Sequence, residues 1–394
     1  MKDRTLISLD CIMMVQHSVI LLMLGPMLPE IMSAFQISEG TAGLILSAGS
    51  LGSTIGPLIA GFGIDRNGIK TVVIAGLFGE TLFLILLGSA TFFLAAAVFN
   101  LLLVLASGFI ETSVNVIPAL LKRKDTVSIM NLVHFFFSLG AFITPLAIGL
   151  FLTRGGYWQT VIKAFAIPTA VLGLIFIFIR FSGKSNSDTY DGESKKQGSV
   201  LKILLLNPSV IFGSLTLFLY VGGELGFSAW IVNYLEKKLL YSKMQASMGM
   251  SMFWIGIMLG RLSLSFLARR VSSKHLIIAS VILSTICGIP FLFVGSIPAV
   301  YTLLFFIGLS MAGGYPVTMA EINRRFPGKT GTVSGILTFG AGLGAMIFQS
   351  LMGFTAEQAG MTQAMAIPFI LMLMMAISFR LAIGLRVGKP PIAS

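Results

Sequence analysis

The chain has 394 residues, 56% of them hydrophobic and 11% charged, with a formal net charge of +12 and a mean hydropathy of +0.94. Soluble domains carry about a quarter charged residues, so this composition excludes a water-soluble fold. Long unbroken apolar runs also exclude the alternating pattern of a membrane β-barrel.

What is left is an all-α polytopic membrane protein whose first partner is the lipid bilayer. About 20 apolar residues cross a bilayer as a helix. By that measure the chain holds twelve transmembrane helices, at 6–29, 41–63, 70–90, 92–121, 127–152, 157–181, 205–235, 243–268, 274–296, 298–321, 330–354 and 362–386. Lys2 and Arg4 precede an apolar run that is too long for a signal peptide and lacks a small-residue cleavage site, so this run is read as the first membrane helix. The stretch 182–204 is rich in Ser, Gly, Asp and Lys. It reads as a cytoplasmic linker between two six-helix bundles, residues 1–181 and 205–394.

In a soluble protein the positive charge would point to nucleic acid. Here the basic residues sit in short loops, which points to topology instead, and no nucleic-acid partner is expected. With both termini in the cytoplasm, 21 of the 27 Lys and Arg fall on the cytoplasmic side of the cell membrane. Five, Arg154, Lys163, Lys237, Lys238 and Lys243, fall outside, and Arg261 lies within a helix. Cys11 and Cys287 lie in apolar segments and are read as packing residues, and no spacing suggests a metal site.

Polar residues inside apolar helices are functional candidates, because a charge at mid-bilayer costs several kcal/mol. Glu111 lies in helix 4 about ten residues, or about 15 Å, from its cytoplasmic end. Asn115 is one turn further along the same face. A carboxyl group among apolar side chains exchanges protons rather than staying permanently charged, so Glu111 is the expected proton-coupling group. Asn131 and His134 share a face of helix 5, and imidazole titrates in a useful range. His134 is therefore expected to share a proton or a hydrogen bond with Glu111, with Asn131 beside it as a substrate ligand. Gln16 and His17 in helix 1 are read as pocket-lining donors. In helix 7, Gly222 and Gly223 can loosen the backbone around Glu224. Trp230 offers a face on which a sugar ring can stack, and Glu224 and Asn233 supply hydrogen bonds. Arg261 is close enough to a helix end to snorkel, Glu321 is expected to pair with Arg324 or Arg325, and Glu80 in helix 3 has no assigned role.

The two halves echo each other. Leu139-Gly140-Ala141 in helix 5 and Leu343-Gly344-Ala345 in helix 11 are separated by the same interval as the basic loops after helices 2 and 8. Between helices 2 and 3, Gly61, Asp65, Arg66, Gly68 and Lys70 form a Gly-x-x-x-Asp-Arg-x-Gly-x-Lys signature. This signature resembles the loop of the major facilitator superfamily, and with twelve helices and a central linker the resemblance covers the whole chain. It implies a secondary transporter working by alternating access, in which Asp65 and Arg66 make charge and helix-end contacts that keep the outward-facing state closed on the inside.

Ile110-Glu111-Thr112-Ser113-Val114-Asn115 and Met130-Asn131-Leu132 are similar to the fucose–galactose–glucose:proton symporter branch of that superfamily. The segment from Gly222 to Trp230 is also similar to members of the branch. This resemblance implies that Glu111 and Asn115 bind sugar and proton. The sequence departs from the branch in helix 1, where Gly25 stands in place of an Asp, so a second acid would have to come from Glu224 or Glu80. Gly140, Thr144, Pro145 and Gly149 partly match the helix 5 signature of drug:proton antiporters, and an exporter of a drug, antibiotic or metabolite is the second reading. A membrane enzyme or a non-transporting sensor is the third, but no nucleotide loop, metal cluster or nucleophile triad appears. The expected protein is a functional monomer that carries a small polar solute. It needs no cofactor beyond an ion gradient, with protons the first candidate and Na⁺ the second.

Overall fold

In lipid every backbone N–H and C=O must find its partner inside its own segment, and the chain meets this requirement with helices. Residues 3–120, 126–179, 206–267, 270–326 and 330–384 are described by a computed structural model, and the linker 182–204 lies outside them. Among the described residues twelve helices are long and apolar enough to cross a membrane. In chain order they are Arg4–Phe35, Glu39–Ile64, Ile69–Leu87, Phe93–Ile117, Leu132–Thr153 and Trp158–Phe178 (spans 1 to 6), then Pro208–Lys237, Lys243–Leu264, Ser273–Phe291, Ile297–Arg325, Thr332–Ala359 and Met361–Gly384 (spans 7 to 12).

Two spans depart from the expected straight rods. Span 1 breaks at Met23 and resumes as Leu24–Phe35, continuing beyond the expected end at residue 29 until Gln36 caps it with φ 53°. Span 10 breaks at Ala312 and Gly313 into Ile297–Met311 and Gly314–Arg325. The cause is the same in both. Pro26 and Pro316 cannot donate to the carbonyls of Leu22 and Ala312, and their rings crowd those carbonyls.

Span 4 packs on spans 2 and 3, span 6 on span 3, and span 5 on span 1. Adding six to each number reproduces the second half, where span 10 packs on 8 and 9, span 12 on 9, and span 11 on 7. The halves meet along two equivalent seams, span 2 against 11 and span 5 against 8, with the second piece of span 1 against span 7. An even number of spans puts both chain ends at one face, here called the terminal face.

At the opposite, far face the halves are sealed. Lys243 pairs with Glu30 at 2.6 Å, Lys237 pairs with Glu39 at 3.1 Å, and the Gly40 amide donates to Glu357 at 3.0 Å. Beneath this rim, the Ser47 and Ser350 hydroxyls are 2.6 Å apart and Ser50 donates to Gln349 at 2.8 Å. On the other seam Ser251 donates to the Phe142 carbonyl at 2.9 Å. Gly43 is one of the glycines that permit this close approach, because a Cβ there would stand 3.0 Å from the Ser350 Cα.

Gly43→Val is therefore expected to force the far face apart. Overpacking costs about 1–3 kcal/mol, and each ~1.4 kcal/mol moves an equilibrium about tenfold. A Ser47→Cys/Ser350→Cys pair reports closure directly. Its crosslinking yield should fall when Gly43→Val is added, and an unchanged yield would show that the seam absorbs the side chain.

Candidate functional site

Toward the terminal face a group of polar side chains gathers between the halves. Glu111 projects from span 4 with 36% of its side chain exposed, and Arg261 projects from span 8 with 32% exposed. His134 in span 5 is also exposed. These three lie two to six residues from the terminal-face ends of their spans, and the region they share between the halves is called here the vestibule.

On the N-terminal side of the vestibule, Asn115 donates to the Glu111 carbonyl at 2.8 Å, and its side-chain oxygen lies 3.1 Å from His134 Nε2. The expected link between His134 and Glu111 is thus indirect, through the residue one turn away. The imidazole nearest the Glu111 carboxyl is that of His17, whose Nε2 lies 3.9 Å from Oε2. His17 is buried, with its ring against Phe137 at 5.9 Å and its Nδ1 2.8 Å from the Ser107 hydroxyl. Gln16 points the other way, donating to Thr169 in span 6, because adjacent residues on a helix face different neighbours.

On the C-terminal side, Arg261 Nη2 lies 3.6 Å from Glu224 Oε1 and Nη1 lies 3.4 Å from the Ser138 hydroxyl of span 5. Arg261 therefore faces the vestibule and reaches across to the other half, where sequence alone suggested snorkelling. Tyr220, one turn before Glu224, lies against the same carboxylate and donates to the Met311 carbonyl at the break in span 10. Tyr315, just past that break, lies within electrostatic reach of both Glu111 and Arg261 and is 3.2 Å from Thr338. The proline-broken helix carries the aromatic hydroxyl to the vestibule.

Trp230 and Asn233 stand apart from this group. Trp230 is fully buried, with its indole N–H on the Gln349 carbonyl at 3.1 Å, and Asn233 lies 3.6 Å from the Met361 sulfur. Both belong to the packing beside the far-face seal, since they lie about two turns beyond Glu224. Under the seal, a cavity of about 30 Å³ touched by Ser50, Asn100, Ser228 and Gln349 holds no more than a water or two.

At the terminal face the signature loop is tight. Gly68 ends the helix of span 2 with φ 79°, a conformation that favours glycine, and its amide bonds the Ile64 carbonyl at 2.9 Å. Lys70 donates to the Ile177 carbonyl at 2.7 Å, placing a cation on the C-terminal end of span 6. A side chain at Gly61 would meet nothing within 4 Å, and Arg66 is exposed. The side chains of Asp65 and Asn131 lie outside the described residues. Glu321 pairs with Arg324 at 2.6 Å and accepts from Ser273 at 3.0 Å. Cys11 and Cys287 are buried and unbonded.

Sequence reasoning passed over Ser107 and Tyr315, because nothing in composition separates these from the other helix-borne hydroxyls. The rim of Glu30, Glu39, Lys237, Lys243 and Glu357 did carry a signal, in that charges of both signs recur at span ends.

A sequence profile described as Major Facilitator Superfamily matches residues 11–295 and 213–393. A glucose/galactose transporter of Brucella abortus is 26% identical over 363 residues, 87% of this chain and 86% of that protein. The nucleoside transporter NupG superposes with a TM-score of 0.80 at 14% identity, covering 95% of this chain and 98% of that one. The E. coli fucose:proton symporter FucP superposes at 0.68 with 20% identity, covering 97% and 99%.

Proposed function

The chain belongs to the Major Facilitator Superfamily, and from that premise we propose that it is a secondary active transporter carrying a sugar or sugar-like metabolite across the cell membrane. In this reading transport is driven by protons through alternating access between the two halves. One arrangement carries the reading. Glu111, partly exposed, stands beside His17 and one turn from the Asn115–His134 pair, with the Arg261–Glu224 pair across the vestibule. An acid that exchanges protons next to neutral donors and acceptors suits a solute rich in hydroxyls. The names of the Brucella relative and the E. coli neighbour support the same substrate class.

The excess of Lys and Arg in the loops of the terminal face supports a cytoplasmic position for both termini. The far-face seal is then extracellular, which supports reading this arrangement as one closed to the outside. Arg66 stands exposed, as a latch does in the state it does not hold.

The test is flux through purified protein in liposomes. Labelled D-galactose or D-glucose is expected to accumulate when the outside is made acidic, and a protonophore should abolish the accumulation. Selective accumulation of uridine would move the substrate class to nucleosides. Expulsion of a drug or metabolite in exchange for entering protons would establish the exporter reading instead.

A further inference from the structure

Glu80 lies wholly inside the N-terminal half, on span 3, with 0% exposure. Neither carboxyl oxygen makes a hydrogen bond of good geometry to a described residue, yet the group faces the Ser107 hydroxyl of span 4. Spans 2, 4 and 6 pack on span 3. Among the described residues they bring no charged group to bear on Glu80, and the side chain of Asp65 is not among those described. A carboxylate so placed would lack both solvent and a counter-ion, an arrangement that costs several kcal/mol. Such a group persists where it carries a proton.

The surroundings of Ser107 show where that proton can go. Its hydroxyl is 2.8 Å from His17 Nδ1, and His17 Nε2 is 3.9 Å from the Glu111 carboxylate that opens on the vestibule. Ser107 and Glu111 are one turn apart on span 4, so His17 of span 1 bridges two points of one helix face. His134 is within electrostatic reach of His17. The groups run from vestibule to interior in the order Glu111, His17, Ser107, Glu80, alternating between those that take and those that give a proton.

We propose that His17 and Ser107 form an internal proton relay between Glu111 and Glu80, with Glu80 the buried proton store. The inference deepens the proton-coupled reading and rests on it, because it supplies a second carboxyl where span 1 carries Gly25. In the transfer, Glu111 gives its proton to His17 Nε2 across the 3.9 Å gap, which one rotamer adjustment or one water closes. His17 releases the proton on Nδ1 to the Ser107 oxygen, and Ser107 passes its own hydroxyl proton to a Glu80 carboxylate oxygen. One proton leaves Glu111 and one arrives at Glu80. Only O–H and N–H bonds are exchanged, His17 ends as the other tautomer, and the reverse transfer resets it. Holding the proton at Glu80 leaves the Glu111 carboxylate free to accept hydrogen bonds from a solute.

Infrared spectroscopy of the full-length protein in lipid tests this without any substrate. The protonated carboxyl band of Glu80 is identified by its loss in Glu80→Gln, and its isotope shift on transfer to D₂O times the arrival of deuterons. Ser107→Ala is expected to slow that shift about 10²-fold or more, the scale of a positioned proton-transfer group. Ser107→Thr, which keeps the hydroxyl, should restore it, and His17→Phe should slow it as Ser107→Ala does. If Glu80→Gln removes no acid band, or if the Ser107→Ala and His17→Phe variants exchange as fast as the unaltered protein, the relay is overturned. Either failure leaves the flux test on D-galactose standing, whereas a working relay in a protein that accumulates no solute would overturn only the transport reading.

Discussion

Glu111→Gln is expected to abolish proton-driven accumulation while leaving counterflow of the same solute intact. The substitution keeps the shape of the side chain and most of its hydrogen-bonding capacity but removes the titrating proton. The local frame should survive, because Asn115 donates to the backbone carbonyl of residue 111 and His134 holds Asn115. A driving force of 100 mV is worth about 2.3 kcal/mol per charge, which corresponds to about 50-fold accumulation at one proton per solute. That ratio should fall to about one in Glu111→Gln vesicles. Exchange of labelled for unlabelled solute, which needs no net proton movement, should continue. Uphill accumulation retained by the variant would remove Glu111 from the coupling step. Loss of counterflow as well would make its role solute binding alone.

The helix count and order are legible in the sequence because a bilayer imposes one length on every span, and twelve apolar runs of that length stand between polar loops. The breaks in spans 1 and 10 are harder to read. Pro29, Pro57, Pro145, Pro168 and Pro368 all sit inside helices that continue through them. Pro26 and Pro316 stand in the first turn after the breaks in theirs. Proline removes one hydrogen bond wherever it falls, and a preceding glycine does not set the outcome, since Gly56-Pro57 lies inside a helix that continues.

The candidate site divides along the same physical line. Periodicity places Glu111 with Asn115 and Asn131 with His134, because residues three or four apart share a face of one helix. It does not say which helix that face meets. The imidazole beside the Glu111 carboxyl comes from span 1, a placement set by how span 1 packs against spans 4 and 5. Gln16 and His17 are adjacent in sequence, yet one joins span 6 and the other joins Ser107. Trp230 fits an interfacial aromatic or a sugar platform equally well from sequence, and the structure places it in packing beside the seal. Glu80 announces itself as a buried charge, but its neighbour Ser107 looks like any helix serine until the two spans are docked.

Arg261 gives the second large effect. Its guanidinium is 3.6 Å from Glu224 and touches Ser138 of the opposite half, so it joins stability to the contact between the halves. Removing one member of a fully buried pair costs about 3–5 kcal/mol, mostly because the other charge is stranded. With 32% of Arg261 facing solvent, Arg261→Gln is expected to cost less, roughly 2 kcal/mol. Thermal unfolding in detergent measures this. The double variant Arg261→Gln/Glu224→Gln leaves no stranded carboxylate and should recover most of the lost stability, since a neutral hydrogen-bonding pair of the same size tolerates the site. Transport should not recover with it. Arg261 is the cation on the far wall from Glu111, within electrostatic reach of Tyr315, which also feels Glu111. A solute that bridges the halves in the vestibule meets both walls, and a wall without its charge binds it differently however stable the fold. Normal D-galactose uptake by the double variant would reduce the pair to a packing element. A stable double variant without uptake would place Arg261 in the working machinery, because stability and transport would then have been separated at a single pair of residues.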